Sequence, residues 1–245
     1  MKFIVCWLSL LVLHAQDSPR MRSPRFRGDL PLTADPAQAP WRNIPPVVAA
    51  QDRYGKALPA ARTEIRSLWT ERHLYFLFAS HYEHMHLQKP AKPKEESWGL
   101  WDYDVVEVFI GWDPSRIHAY KEFEVSPQGE WVDLDIDRSR KPPAVDWTWN
   151  SGFEFQTRVE PNKKIWFCEM RIPWKSIDPR PPAAGNVLRL NLYRIEGPPP
   201  RRKFIAWSPV FNESFHTPER FGTLQLIDEQ DQRKRGLAAG GPQRP

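Results

Sequence analysis

"GLWDYDVVEVFIGW", residues 99–112, decides the reading of this chain. From residue 105 onward it is apolar at nearly every position, yet Glu107 stands in the middle. Successive side chains of a strand point to opposite faces. Val106, Val108, Ile110 and Trp112 therefore share one face, and Glu107 and Phe109 share the other. An acid in half-apolar surroundings needs a partner, because burying an unpaired charge is costly. Trp101, Asp102 and Asp104 come just before it and put an aromatic ring and further acids close by.

The same alternation recurs outward in both directions. Strand patterns run over 62–69, 73–80, 104–112, 118–126, 130–137, 153–160, 164–172, 187–195, 203–208 and 222–227. "PQG" at 127–129 reads as a hairpin turn, and "PWKSID" at 173–178 as one helical turn opened by Pro. Many short strands with turn signals between them predict an all-β fold. The expected architecture is an antiparallel β-sandwich, jelly-roll or immunoglobulin-like, with at most one or two short helical turns.

Period two sorts the faces. Phe123 and Val125 oppose Glu122 and Glu124; Leu188, Leu190 and Leu192 oppose Arg189, Asn191 and Tyr193. Val132, Leu134 and Ile136 are expected to point into the core, with Trp131, Asp133 and Asp135 opposite. Glu122, Asp133 and Asp135 then read as the solvated side of a sheet. If these strands are neighbours, Glu107, Glu124, Asn191 and Tyr193 converge on one surface.

Composition sets the limits. The 26 Pro argue against long helices, and 12 Trp exceed what a core of this size needs. The net charge of +5 is mild, and much of the excess lies in the flanks, at Arg20, Arg22, Arg25 and Arg27 and at Arg233, Lys234 and Arg235. No basic face interleaved with aromatics points to nucleic acid. Residues 1–15 resemble a secretory signal, with Lys2, an apolar run to Leu13 and a small residue at Ala15. The run is too short to span a bilayer, so a secreted or periplasmic chain without a membrane segment after cleavage is expected. Cys168 alone would remain, as a small core residue. Residues 16–40 read as an irregular lead-in, 41–227 as one folded domain and 228–245 as a disordered tail.

"WDYDVVEVFIGWD", "YKEFEVSPQGEWVD", "MRIPWKSI", "IAWSP" and "FHTPERFGTLQL", in that order, resemble the family 9 carbohydrate-binding modules. The resemblance covers residues 41–227. It implies a β-sandwich that holds the end of an oligosaccharide or polysaccharide between two Trp rings, in support of carbohydrate catabolism and without cleaving it. Trp101 and Trp207 match the two rings, and Glu107 matches the carboxylate that takes sugar hydroxyls. Asp104 matches the residue that opens the strand, and Asn191 stands where an amide helps. One departure is clear: acids surround Glu124 where some members carry Arg. That change alters the hydroxyl pattern recognised and could recruit a metal ion. Structural calcium occurs in the family, and Asp113, Asp133, Asp135 and Asp137 offer hard oxygen ligands.

A different class of function also has residues to support it. "SHYEHMH" places His84 and His86 on one strand face with Met85 between them. That set fits zinc, copper or haem, and so a redox module of a related sandwich fold. Enzymatic signals are weaker. There is no Ser/His/Asp set, no phosphate-binding Gly loop and no zinc-hydrolase spacing. Glu107 and Glu124 could lie near each other as a hydrolase pair, but so could many surface acids. Neither the sugar nor the oligomeric state follows from the sequence.

Overall fold

The structure is a computed structural model and describes residues 18–228. The expected signal segment and all of the expected tail except Asp228 lie outside the described residues. Fourteen strands follow one another: β1 (Arg20–Pro24), β2 (Val47–Ala49), β3 (Gln51–Asp52), β4 (Thr63–Trp69), β5 (His73–His81), β6 (Val105–Gly111), β7 (Ala119–Val125), β8 (Trp131–Asp137), β9 (Ala144–Asp146), β10 (Glu154–Glu160), β11 (Ile165–Pro173), β12 (Val187–Glu196), β13 (Lys203–Ala206) and β14 (Gly222–Ile227). One helical turn, α1 (Trp174–Ile177), follows Pro173 as the sequence predicts. Pro fixes the backbone angle there and lacks the N–H that a first turn would leave unpaired.

The strands form two sheets. The larger runs β1-β14-β12-β6-β7-β8-β9, with β13 beside β12 and β3 beside β13; the smaller runs β10-β11-β5-β4-β2. All pairings are antiparallel except β1 with β14. Residues 20–24 are thus a sheet strand rather than irregular lead-in. Five residues with two Arg and a Pro are too short a signal to be read as a strand from the sequence. One edge of β12 is shared. Its first half, 187–190, pairs with β14, and its second half, 193–196, pairs with β13. The fork between them falls at Asn191 and Leu192.

The layer between the sheets is apolar. Val106, Val108, Ile110, Phe123, Leu190 and Leu192 from one sheet meet Ile65, Phe76, Phe78, Trp166, Cys168 and Met170 from the other. Each such side chain contributes roughly 1.5–3 kcal/mol when fully buried. The outer faces are also covered. Over the smaller sheet, Leu30, Trp41 and Ile44 from the preceding chain pack on Leu68, Tyr75 and Leu77. Over the larger sheet a second cluster holds Val105, Phe109, Tyr120, Val132, Leu134, Ile136, Tyr193 and Phe221.

Two expectations change accordingly. Val132, Leu134 and Ile136 belong to the outer cluster, and Trp131 packs on the layer between the sheets. The register explains it: Phe123 stands opposite Asp133, and Glu124 opposite Val132, and directly opposite residues share a face. Alternation gave the phase of β8 correctly but could not say which phase faced inward, since both faces carry apolar residues. Second, the outer face is not the wet side of the sheet. Glu122, on that face, is 3% exposed, and Asp133, which shares the inner face with Phe123, is fully buried.

Candidate functional site

The outer face of the larger sheet carries three acids on two adjacent strands. Tyr193, Glu107, Glu124 and Val132 form one cross-strand row, and Asn191, Phe109, Glu122 and Leu134 form the next. Glu107 and Glu124 are direct neighbours, with Glu122 beside them. One carboxylate oxygen from each lies within 4.8 Å of the others. Glu107 is 2% exposed and Glu124 is not exposed at all. Glu107 Oε1, Glu122 Oε2 and both Glu124 oxygens receive no hydrogen bond from any other residue type, and the Glu122 and Glu124 carboxyls hydrogen-bond each other by sharing a proton. Like charges directly opposite each other are destabilising, and burial disfavours the charged form of each. Burial, and then Glu124, holds the Glu107 carboxyl well above the usual carboxylate range. Burial, and then Glu122, does the same to Glu124. Glu122 is pushed up to about 8, mainly by burial.

Aromatic side chains wall this floor. Trp98 and Trp101 come from the turn before β6, with ring centroids 4.9 Å apart and planes at 82°. Gly99 lies between them with φ +80°, a left-handed backbone that suits glycine. Arg202 braces the turn. Its guanidinium donates to the Trp101 carbonyl at 2.6 Å and the Tyr103 carbonyl at 2.7 Å, and also to that of Asp102. Phe204 and Phe215 stand on another side. Tyr193 stacks on Phe215 at 4.0 Å and donates its hydroxyl to the Phe215 carbonyl at 3.0 Å. The cavity has a volume of about 270 Å³, with Phe109, Leu134, Val145, Ile195, Arg53, Glu213 and His216 completing its lining. His216 Nδ1 is paired with the Tyr120 hydroxyl at 2.8 Å. Burial lowers the His216 imidazole to about 4, so it stays neutral beside Glu122.

The residues singled out in the sequence divide between this cavity and other places. Trp101, Glu107 and Glu124 line it together. Trp207 does not: it is buried between the sheets, on the far side of the larger one. Its ring packs so close to Gly222 that a Cβ there would meet it at 2.7 Å. Residue 207 follows β13 into the fork of β12, which turns the ring inward. The anticipated pair of facing Trp rings is therefore absent, and Phe204 and Phe215 stand among the walls instead. Asn191 lies below the cavity. Its amide donates to the Tyr193 hydroxyl at 2.7 Å and the Ser208 carbonyl at 2.9 Å, and its oxygen accepts from Ser208 N at 3.1 Å. It joins the two sides of the fork and positions Tyr193. Asp104 holds loops: Oδ1 accepts from His86 N at 3.1 Å and Gly197 N at 2.7 Å. Burial raises its carboxyl to about 6 despite those bonds.

The metal candidates do not assemble. His84 is exposed, Met85 packs against the layer between the sheets, and His86 stacks on Tyr103 at 5.2 Å. Asp133 accepts from Ser151 N, Asp135 pairs with Lys121, and Asp113 and Asp137 cap Ser115 and Ser139. These aspartates share no site and do not fit calcium as a set. Among the described residues, the one group of acids, histidines or cysteines that meets the spacing of a metal site is Glu107, Glu122 and Glu124.

Sequence reasoning missed Trp98, Phe204 and Phe215, and placed Glu122 in water. "SWGLW" held a signal for Trp98, since a glycine between two Trp residues marks a tight aromatic turn. Phe204 lies opposite Ile195 and shares its face, which becomes visible only once β12 and β13 are known to pair.

With this geometry in view, the family comparison is decisive. The family described as "Carbohydrate family 9 binding domain-like" matches residues 36–229. The chain belongs to this family of carbohydrate-binding modules. Endo-1,4-beta-xylanase A of Thermotoga maritima is 27% identical over 168 residues, which is 68% of this chain and 14% of the xylanase. The human UPF0462 protein C4orf33 is 29% identical over 124 residues, 51% of this chain and 54% of that protein. The chain thus spans about a seventh of the xylanase and about half of the human relative. The family 9 module of Caldicellulosiruptor kristjanssonii, solved in complex with cellotriose, superposes with a TM-score of 0.60 at 15% identity, covering 93% of this chain and all of that one. The same module has been solved with glucose. The sandwich is therefore the family 9 fold. Among the described residues no helix is long and apolar enough to cross a membrane.

Proposed function

We propose that this family 9 domain binds the end of a saccharide in the cavity above Glu107, Glu122 and Glu124, and does not cleave it. One observation carries the reading. Aromatic rings on separate segments wall a 270 Å³ cavity whose floor offers unpartnered acceptors. A pyranose has apolar C–H faces and a rim of hydroxyls. Rings cover the first, and buried carboxyls hydrogen-bond the second at roughly 0.5–1.5 kcal/mol for each well-made neutral bond.

Binding without hydrolysis fits the placement of the acids. A glycosidase sets its acid and its nucleophile or base on either side of the scissile bond, about 5–9.5 Å apart. Here the three carboxyls lie side by side on one floor. All of them would meet the same side of a sugar. The signal-like residues 1–15 and the xylanase relative support the reading of an exported chain that assists polysaccharide catabolism.

Calorimetry with glucose, cello-oligosaccharides and xylo-oligosaccharides tests the reading. At least one should bind, and Trp101→Ala should weaken it by about 2 kcal/mol, the scale of losing a large apolar contact. Equal binding by variant and parent would remove the cavity as the site. Product release from any of these sugars would remove the non-catalytic assignment.

A further inference from the structure

We propose that the saccharide end held in this cavity carries a protonated amine, as in an amino sugar without N-acyl substitution. The proposal rests on the carbohydrate reading above and adds the charge of the ligand. A neutral sugar leaves the chief electrostatic feature of the site without an answer. Three glutamates are almost entirely buried, and four of their oxygens receive no hydrogen bond from any group outside the cluster. Such carboxyls either hold protons, as burial makes them do in the empty cavity, or ionise against a cation that the ligand brings.

The protein brings no cation into direct contact with them. Among the described residues no Lys or Arg makes an ion pair with Glu107, Glu122 or Glu124. The nearby cations are engaged elsewhere. Arg202 acts on Glu107 only through space, while its hydrogen bonds go to three backbone carbonyls of the Trp101 turn. Arg53 binds Glu213 through both its side chain and its carbonyl. His216 is neutral, 3.9 Å from Glu122, and already bonded to Tyr120. Burial keeps protons on the empty carboxyls, and a bound cation would displace them.

An ammonium group matches what remains. It has three N–H donors, and one oxygen from each of three glutamates lies within 4.8 Å of the others. Its bonds to carboxylates are charge-assisted and stronger than those from a hydroxyl. The surroundings favour an organic cation over a metal ion. Trp98, Trp101, Phe109, Phe204 and Phe215 line the cavity with the π-systems that attract an organic cation, whereas calcium takes 6–8 oxygen ligands and the aromatic walls provide none.

The test is calorimetry on the full chain after treatment with a chelator. Three matched ligands are used: a β-1,4-linked glucosamine trimer, its fully N-acetylated counterpart and cellotriose. The glucosamine trimer should bind at least tenfold tighter than either of the others. Glu124→Gln should bring that ratio close to one, and Glu122→Gln serves if the first variant does not fold. Cellotriose binding as tightly as the glucosamine trimer would overturn the proposal and leave the carbohydrate reading intact. If none of the three binds, and glucose and xylo-oligosaccharides fail as well, the carbohydrate reading itself falls. Cellotriose reaching the affinity of the glucosamine trimer once calcium or manganese is added would also overturn it, since a metal would then be the missing cation.

Discussion

Each sheet of this molecule buries acid on its outer face, and the two faces treat it in opposite ways. On the smaller sheet, Glu169 is fully buried under the chain that precedes β2. Its Oε2 accepts from Thr33 N and Ala34 N, both at 2.8 Å, and its Oε1 accepts from the Trp41 indole at 2.9 Å. On the larger sheet, Glu107, Glu122 and Glu124 are as deeply buried but mostly unpartnered, and a cavity opens above them. Glu169 closes a structure, because the protein itself provides every donor. The three glutamates keep a structure open, because the donors must come from elsewhere. Burial of an acid therefore does not indicate a binding site; burial without a partner beside a cavity does.

The most damaging way to break this contrast is to remove the lid over Glu169. Trp41→Ala should cost about 3–5 kcal/mol of stability, the usual range for a buried Trp, with the added loss of the indole bond. Chemical denaturation measures it, and a cost below 1 kcal/mol would mean that the lid is not part of the fold. Glu169→Gln should cost less, about 2 kcal/mol. An amide oxygen still accepts, but its NH₂ group faces a backbone N–H or the indole, leaving a buried donor unpaired. Thermal melts of this variant alongside Glu124→Gln sharpen the comparison, because the second exchange removes repulsion and should leave stability equal or higher at pH 8.

A pH series provides the next test. The Glu122 carboxyl sits at about 8 in the folded protein, against about 4.3 in an unfolded chain. Between those values the folded state holds a proton that the unfolded state has released. Stability therefore declines as pH rises from about 5 to 8, at up to roughly 1.4 kcal/mol per pH unit for one such group. Glu122→Gln should flatten the decline in the ligand-free protein. Identical slopes for variant and parent would show that burial does not raise this carboxyl. The smallest effect on the fold belongs to Trp98→Ala. This ring is 55% exposed, so stability should change by less than about 0.5 kcal/mol while saccharide affinity falls. Unaltered affinity would take Trp98 out of the wall.

The site was legible in part, for reasons that particular residues make plain. Glu107 was marked by its place in an apolar strand, and Trp101 by the motif before it. Glu122 was misread because alternation separates two faces without telling which is covered by other parts of the chain. Trp207 was misread because its motif suits an exposed ring, while the fork in β12 turns it toward Gly222. Phe215 carries no strand signal at all. Its position depends on Tyr193, twenty-two residues earlier, through stacking and a bond to its carbonyl.

The sequence by itself determined ten of the fourteen strands, the phase of their alternation, the helical turn after Pro173 and the family, because these depend on local spacing and motif order. Tertiary structure alone decided which face of each strand was covered, which rings stand above the acids and which acids lack a partner. Those outcomes depend on register between strands and on chain segments far apart in sequence, which local periodicity does not encode.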